Sequence, residues 1–459
     1  MKNIYPLILL CISALCLSSC DDKLDIIPKG ETTLTTVDDL ETLLNQVYNL
    51  DESPGDLETL TNTCYASVSA DLKGTYEYIL ASYDESVKRE ALRLTDVRYN
   101  TIYNYILNTN IVIAKTPEAK GDSKQKERIV AEARVVRGWL HFLIANIHAK
   151  QYDNESQAAG EGGIAYVDNI NFQEQKKKIS LKETYDRILE DCSDEVIEKL
   201  YDNPTKVHQR VAKDFGYGMR ALVLLQMKDY DRALIYANKA LAINSVIEDR
   251  TETVSGGDWK LSWDHPSNYF FVYSRGPNTS IGYTMISKET VELFEEGDIL
   301  MENYIWDPDY AEEYNGAYFN TSSANISNYG IRTEQIIYAA AECLIRQGKY
   351  DQGLKMVDRV REKRIYDYCY EPIINKAQNP VDETEAMRLL ERAKRVEMIY
   401  TVQNFLDLRR WNTEERYKRT IVRDLGEGES VSLRPDSPLW VFPFPLDAVN
   451  RNSSLTQNY

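Results

Sequence analysis

The chain is 459 residues long and carries 72 acidic against 54 basic residues, a formal charge of −18. That imbalance argues against nucleic acid or anionic lipid as the main partner and fits a soluble surface that tolerates uncharged or cationic ligands. Glycine and proline are scarce, at 21 and 14, and helical periods run through most of the length. The expected class is therefore mostly α, in one body or two interlocked halves large enough to bury a substantial core.

Residues 1–20, MKNIYPLILLCISALCLSSC, place one early lysine before an apolar run from Ile4 to Leu17, then small residues and a cysteine. The run is short for a membrane span and reads as a secretion signal over 1–19. Leu17-Ser18-Ser19-Cys20 is the pattern at which bacterial lipoproteins are cut, so Cys20 is expected to become an acylated N-terminus and lipid anchor. Residues 20–36, with Pro28 and Gly30, read as an extended tether. Of the other cysteines, Cys11 and Cys16 leave with the signal, and Cys64, Cys192, Cys343 and Cys369 show no C-x-x-C spacing. With four scattered histidines, no protein metal site is expected. Cys192 and Cys343 fall within helical patterns, as small buried apolar residues do.

Helices are predicted at 37–50 with Thr36 as cap, 95–115, 123–149, 180–200 with a Ser180/Glu183 capping box, 205–227, 230–243, 287–296, 332–347, 350–364 and 383–411. The strongest is 123–149. Ile129, Ala133, Val136, Leu140, Leu143 and Ile147 follow at steps of three and four, drawing one stripe down about six turns. Small Ala131, Ala133, Gly138 and Ala145 let other backbones approach, and the charges Glu132, Arg134 and Arg137 read as a solvated or ion-paired face. Two stretches rich in Gly, Asn, Asp, Ser and aromatics, 151–178 and 251–330, read as loops with short strands, GEGG at 160–163 being a flexible turn.

Two segments repeat one another. Tyr217, Ala221 and Leu224, then Ala233, Ala237 and Ala240, match the spacing of a tetratricopeptide helix pair. Ile337, Ala341 and Leu344, then Gly353, Val357 and Val360, repeat it 120 residues later, and the turns KDYDRAL and GKYDQGL align. Each unit leaves an apolar flank that the next must cover, so the fold is a stack of tetratricopeptide-like helical repeats with a loop-rich insert.

At this point the chain resembles the SusD/RagB family of outer-membrane lipoproteins. The resemblance rests on SSCDDKLDIIP, AEARVVRGWLHFLIANI, IRTEQIIYAAAECLIRQGKYDQGLKMVDRVREKR, NFLDLRRW and FPFPLDAVNRNSSLTQN, in this order. Thr401-Val402 stands where the family usually has Glu-Gly, and Asn404 replaces a common Arg. The resemblance implies an N-terminal helical region over 37–250 and a C-terminal region over 251–459 with a loop-rich insert and a final helix pair. It also implies surface capture of a nutrient, most often a glycan, as a lid on a SusC-type TonB-dependent transporter, with the lipid anchored in the outer membrane.

A sugar presents an apolar C–H face ringed by hydroxyls, so its site wants flat rings beside polar side chains. Trp139, Trp411 and Trp440 coincide with scaffold motifs and read as core. The loop tryptophans Trp259, Trp263 and Trp306 stand among Asn268, Tyr269, Tyr273, Arg275, Asp307, Tyr310 and Tyr318, and an earlier loop brings Tyr76, Tyr78 and Tyr83. The ligand-contact candidates are Trp259, Trp263, Trp306, Tyr76, Tyr78, Tyr273 and Arg275. Aromatics that fold inward to staple long loops would give the same composition. Peptide capture and a ligand-free envelope scaffold stay open beside glycan capture. A glycosidase using a pair such as Glu295 and Asp298 is disfavoured, since 72 acidic residues produce such pairs by chance. Asp307 and Asp309 read as a solvated turn rather than a calcium site. No nucleotide-binding or nucleophile motif is present, so no cofactor or catalytic residue is expected.

Overall fold

In the computed structural model, the residues described are 34–48, 53–64, 73–171, 173–202, 210–255, 258–272, 284–306, 316–319, 326–378, 381–426 and 428–459. The signal, Cys20 and most of the tether lie outside them.

The apolar stripe of the sequence becomes the helix Ser123–His148, opened by Asp122, whose side chain accepts from the Gln125 amide. From Ala131 onward nearly every residue of it is buried, on all sides. It packs against Val97–Lys115 and Leu181–Asp191, and a Cβ on Gly138 would stand 3.0 Å from Met219 and 3.1 Å from Asp191. Its charged positions are ion-paired within the protein. Arg137 reaches Asp191 at 2.6 Å, while Glu132 receives Arg128 at 2.9 Å and Arg210 at 3.0 Å. The last carbonyls, which a helix leaves without intrahelical partners, are capped from far along the chain. Arg409 donates to the Asn146 and Ala149 carbonyls and Asn458 to the His148 carbonyl. The motifs NFLDLRRW and SSLTQN thus close one helix end.

The repeat is borne out. Lys213–Gln226 and Tyr230–Ile243 form one hairpin, Thr333–Arg346 and Tyr350–Arg361 the next, and Tyr230–Ile243 packs on Thr333–Arg346. Lys228 and Gly348, 120 residues apart, both adopt left-handed backbone at the turn, with φ of 60° and 75°. Gly353 is required for contact: a Cβ there would sit 2.6 Å from Ile345 and 2.8 Å from the Ala341 carbonyl. Glu383–Glu397 then covers both helices of the second hairpin. Trp139, Trp411 and Trp440 are core, as are Cys192 and Cys343.

Several boundaries differ from expectation. The predicted 383–411 helix is two, Glu383–Glu397 and Gln403–Trp411, parted at Tyr400, whose φ is 63°. No glycine or proline marks the break. It is held by Glu58 accepting from the Tyr400 amide and by the Asn328 side chain donating to its carbonyl. Thr401 donates to the Met398 carbonyl at 2.8 Å, and Asn404 to the Arg395 carbonyl at 3.0 Å, so the two departures from the family pattern sit in this turn. The predicted 180–200 helix breaks after Asp191 and resumes at Asp194, and the one predicted at 287–296 is only Lys288–Val291. In the GEGG segment Gly160 and Glu161 form an exposed bend, while Gly162 and Gly163 are buried. Gly163 is buried so closely that a Cβ would meet the Ser180 carbonyl and the Thr184 hydroxyl at 2.5 Å.

The insert has its own smaller core, in which Trp259, Leu261, Ile286, Ile299, Tyr304, Ile305, Phe319 and Tyr400 cluster. Its frame is a three-stranded antiparallel sheet, with Gly316–Phe319 between Thr284–Ser287 and Ile305–Trp306. A second ladder joins Asn268–Phe270 to Ile331–Arg332, at the entrance of the second repeat hairpin. Among the described residues no helix is long and apolar enough to cross a membrane.

Candidate ligand-binding face

The insert is fastened to the repeats by a buried ionic joint. Glu248, Arg250, Arg332, Glu334, Arg364 and Glu397, drawn from four chain segments, are all buried. Arg364 bonds to Glu397 at 2.6 Å and Glu334 at 3.0 Å, Arg250 to Glu397 at 3.0 Å, and Arg332 to Glu248 at 3.2 Å. Burial by itself raises the Glu397 carboxyl, but the Arg250 and Arg364 guanidiniums hold it down at about 2. Three guanidiniums facing three carboxylates fix the joint by mutual ion pairing.

Trp259 belongs to this joint and not to a binding surface, which corrects the expectation for it. It is 2 % exposed, and its indole N–H donates to Glu248 at 2.7 Å. Phe319 stacks on it at 6.1 Å and Arg250 lies over it at 5.4 Å. Tyr269 and Asn268 are likewise buried.

Trp263 is different. It is 41 % exposed, yet its turn is fixed. The side chain of the buried Asn268 donates to the Trp263 carbonyl at 3.3 Å, and one residue before Asn268 the chain is tied to the repeats, where the Thr333 amide donates to the Ser267 carbonyl at 2.9 Å. An indole is thereby offered to solvent from a backbone that need not be ordered on binding.

Tyr76 and Tyr83 are also corrected. The segment read as a loop contains the helix Tyr76–Ser82, capped by Thr75, and both rings are buried. Arg93 covers Tyr76 at 4.3 Å and Arg423 covers Tyr83 at 4.4 Å. Tyr78, on the same helix, is half-buried. Trp306 pairs in backbone register with Tyr318; their side chains, with Tyr273, Arg275, Asp307, Asp309 and Tyr310, lie outside the described residues. The structure thus separates the candidate tryptophan Trp263 from Trp259 and brings no two candidates into ring contact among the described residues.

One ring escaped sequence reasoning. Tyr368, in the turn after Tyr350–Arg361, is 78 % exposed and stacks on Tyr366 with centroids 5.4 Å apart and planes 11° from parallel. The spacing of Tyr366, Tyr368 and Tyr370 was the available signal.

The carboxylate pair considered for catalysis is structurally committed. Glu295 is ion-paired to Arg361 at 2.7 Å and Lys376 at 2.9 Å. Asp298 is buried, caps the helix Ile299–Tyr304 and, through desolvation, is raised to about 6. A separate cleft of about 350 Å³ is lined by Glu41, Lys124, Gln125, Arg128 and Tyr201. There Arg128 already covers the Tyr201 ring at 4.5 Å, and Gln125 is bonded to Glu41 at 2.8 Å.

Comparison with known proteins agrees with this architecture. Residues 22–225 match a SusD-like family described as "Starch-binding associating with outer membrane", and residues 309–459 match the SusD family. No functionally curated protein matches the sequence. Among solved structures, a SusD superfamily protein from Bacteroides thetaiotaomicron is 16 % identical, with a TM-score of 0.71 over 93 % of this chain and 100 % of the other. A putative sugar binding protein from Bacteroides vulgatus is 16 % identical, with a TM-score of 0.68 over 93 % and 99 %. A SusD-like carbohydrate binding protein from the same species is 14 % identical, with a TM-score of 0.67 over 93 % and 98 %.

Proposed function

Because this chain belongs to the SusD/RagB family, we propose that it is a non-catalytic surface lipoprotein that captures a glycan and passes it to a partner TonB-dependent transporter in the outer membrane. The observation that carries the reading is Trp263, an exposed indole on a turn locked to the second repeat hairpin. Such a ring stacks on the C–H face of a sugar and contributes roughly 0.5–1.5 kcal/mol beyond area burial. Few such contacts, set against the cost of association, predict weak binding, about micromolar to millimolar, which suits a ligand that must be handed on. The commitment of Glu295 and Asp298 to ion pairing and helix capping supports a binding role over hydrolysis. Acylation at Cys20 would supply the anchor, and stable attachment takes more than one acyl chain.

Native gels cast with a panel of soluble polysaccharides test the reading. Retardation on at least one, reduced by Trp263→Ala, is expected. Unchanged mobility on all of them would sink it in favour of a peptide ligand or a scaffold, and sugar release by the purified chain would overturn the non-catalytic part.

A further inference from the structure

The turn that carries Tyr368 is built more firmly than an idle surface loop requires. The Tyr366 amide donates to the Gly297 carbonyl at 2.9 Å, and the Cys369 and Tyr370 amides both return to the Tyr366 carbonyl, at 2.8 and 3.0 Å. The Asn303 side chain donates to the Tyr366 hydroxyl at 3.0 Å. Gly297 has a φ of 76°, and a Cβ there would stand 2.4 Å from Cys369, so the turn is seated directly on it. Tyr366 thus fixes one face of Tyr368 and leaves the other to solvent.

The surroundings of that open face carry one sign. Asp367, Glu296 and Glu302 are exposed, and none is ion-paired among the described residues. Partial desolvation and the Glu302 carboxylate raise the Tyr368 phenol, and Glu296 and Glu302 add to the rise at Cys369. An acidic sugar brought to this face meets repulsion, whereas a neutral face or a protonated amine does not.

We propose that Tyr368, backed by Tyr366, is a second sugar-stacking platform, and that its carboxylate surround selects neutral or amine-bearing sugars over acidic ones. The inference rests on the glycan-capture reading and names the substrate class of that face. It is tested by calorimetry and affinity gels with the purified chain and three probes: a neutral polysaccharide that retards it, chitosan oligosaccharides with free amines, and polygalacturonate. Tyr368→Ala is expected to weaken binding of the neutral probe about two- to tenfold, with Tyr368→Phe retaining it. Chitosan oligosaccharides should bind more tightly at low salt than at high salt, and polygalacturonate should neither bind nor compete. Polygalacturonate binding as tightly as the neutral probe would overturn the selectivity. Unchanged affinity in Tyr368→Ala, with Trp263→Ala still impaired, would overturn the platform and assign the ring to a protein contact. If no glycan binds the unaltered chain, the glycan reading itself falls and takes this inference with it.

Discussion

The repeat body and the insert are both well packed, but they are held by different means. In the body, helix pairs close through small residues such as Ala221, Ala237, Ala341 and Gly353, and the stabilising contacts are broad and apolar. In the insert, a few short strands enclose a small core, and the segment is fastened by individual bonds between residues distant in the chain, the Ile299 amide with the Arg364 carbonyl and Trp259 with Glu248 among them. A body built from area tolerates sequence change at many places, whereas a joint built from single partners concentrates its stability in a few side chains. That concentration leaves the surface rings of the insert free of structural duty.

Five perturbations sharpen the contrast. The largest effect is expected at the joint. Arg364→Ala leaves Glu397 and Glu334 buried without their shared guanidinium and should cost about 3–5 kcal/mol in urea unfolding; a loss under about 1 kcal/mol would show that the joint is not what holds the insert. Next come the two tryptophans. Trp259→Ala should cost about 3–5 kcal/mol of stability, while Trp263→Ala should move stability by no more than about 0.5 kcal/mol and act on ligand retention instead. Comparable melting shifts for both would erase the distinction between staple and platform.

Within the body, Gly353→Ala forces a methyl against the Ala341 carbonyl and should cost about 1–3 kcal/mol without altering ligand retention. The last effect is a pH slope. Desolvation raises Glu58 from its ordinary 4.5 to about 8, since among the described residues no cation is paired with it and its partners are the Tyr400 amide and the Cys64 thiol. Its folded value lies above its unfolded one, so the stability tied to its neutral form is complete below about pH 4.5 and is lost as pH rises to about 8, by at most about 1.4 kcal/mol per pH unit. Glu58→Gln does not ionise, so urea midpoints of the two proteins should diverge in its favour across that window; parallel curves would refute the assignment. Glu397 behaves oppositely. Held at about 2, it contributes stability above its unfolded value that is lost only as pH falls toward 2, so the joint stays intact where Glu58 titrates.

The helical stripe from Ile129 to Ile147, the capping residues Thr36 and Ser180, and the two repeat hairpins were legible because each is a local pattern at a period of 3.6 residues. Trp139, Trp411 and Trp440 were legible as core because they coincide with scaffold motifs. The insert was legible only as aromatic and loop-rich. Nothing within a few residues of Trp259 or Trp263 distinguishes them; the difference lies in Glu248, Arg250 and Phe319, which cover one ring and not the other.

Taken by itself, the sequence determined that this protein is a stack of helix pairs with an acidic, ring-bearing insert, because periodicity, caps and composition are properties of neighbouring residues. Only the tertiary structure decided that the chain turns at Tyr400, that Trp259 is sealed into a buried ionic joint, and that Trp263 and Tyr368 face water. Exposure and backbone reversal of this kind are set by contacts between segments tens to hundreds of residues apart, and no local pattern encodes which partner arrives.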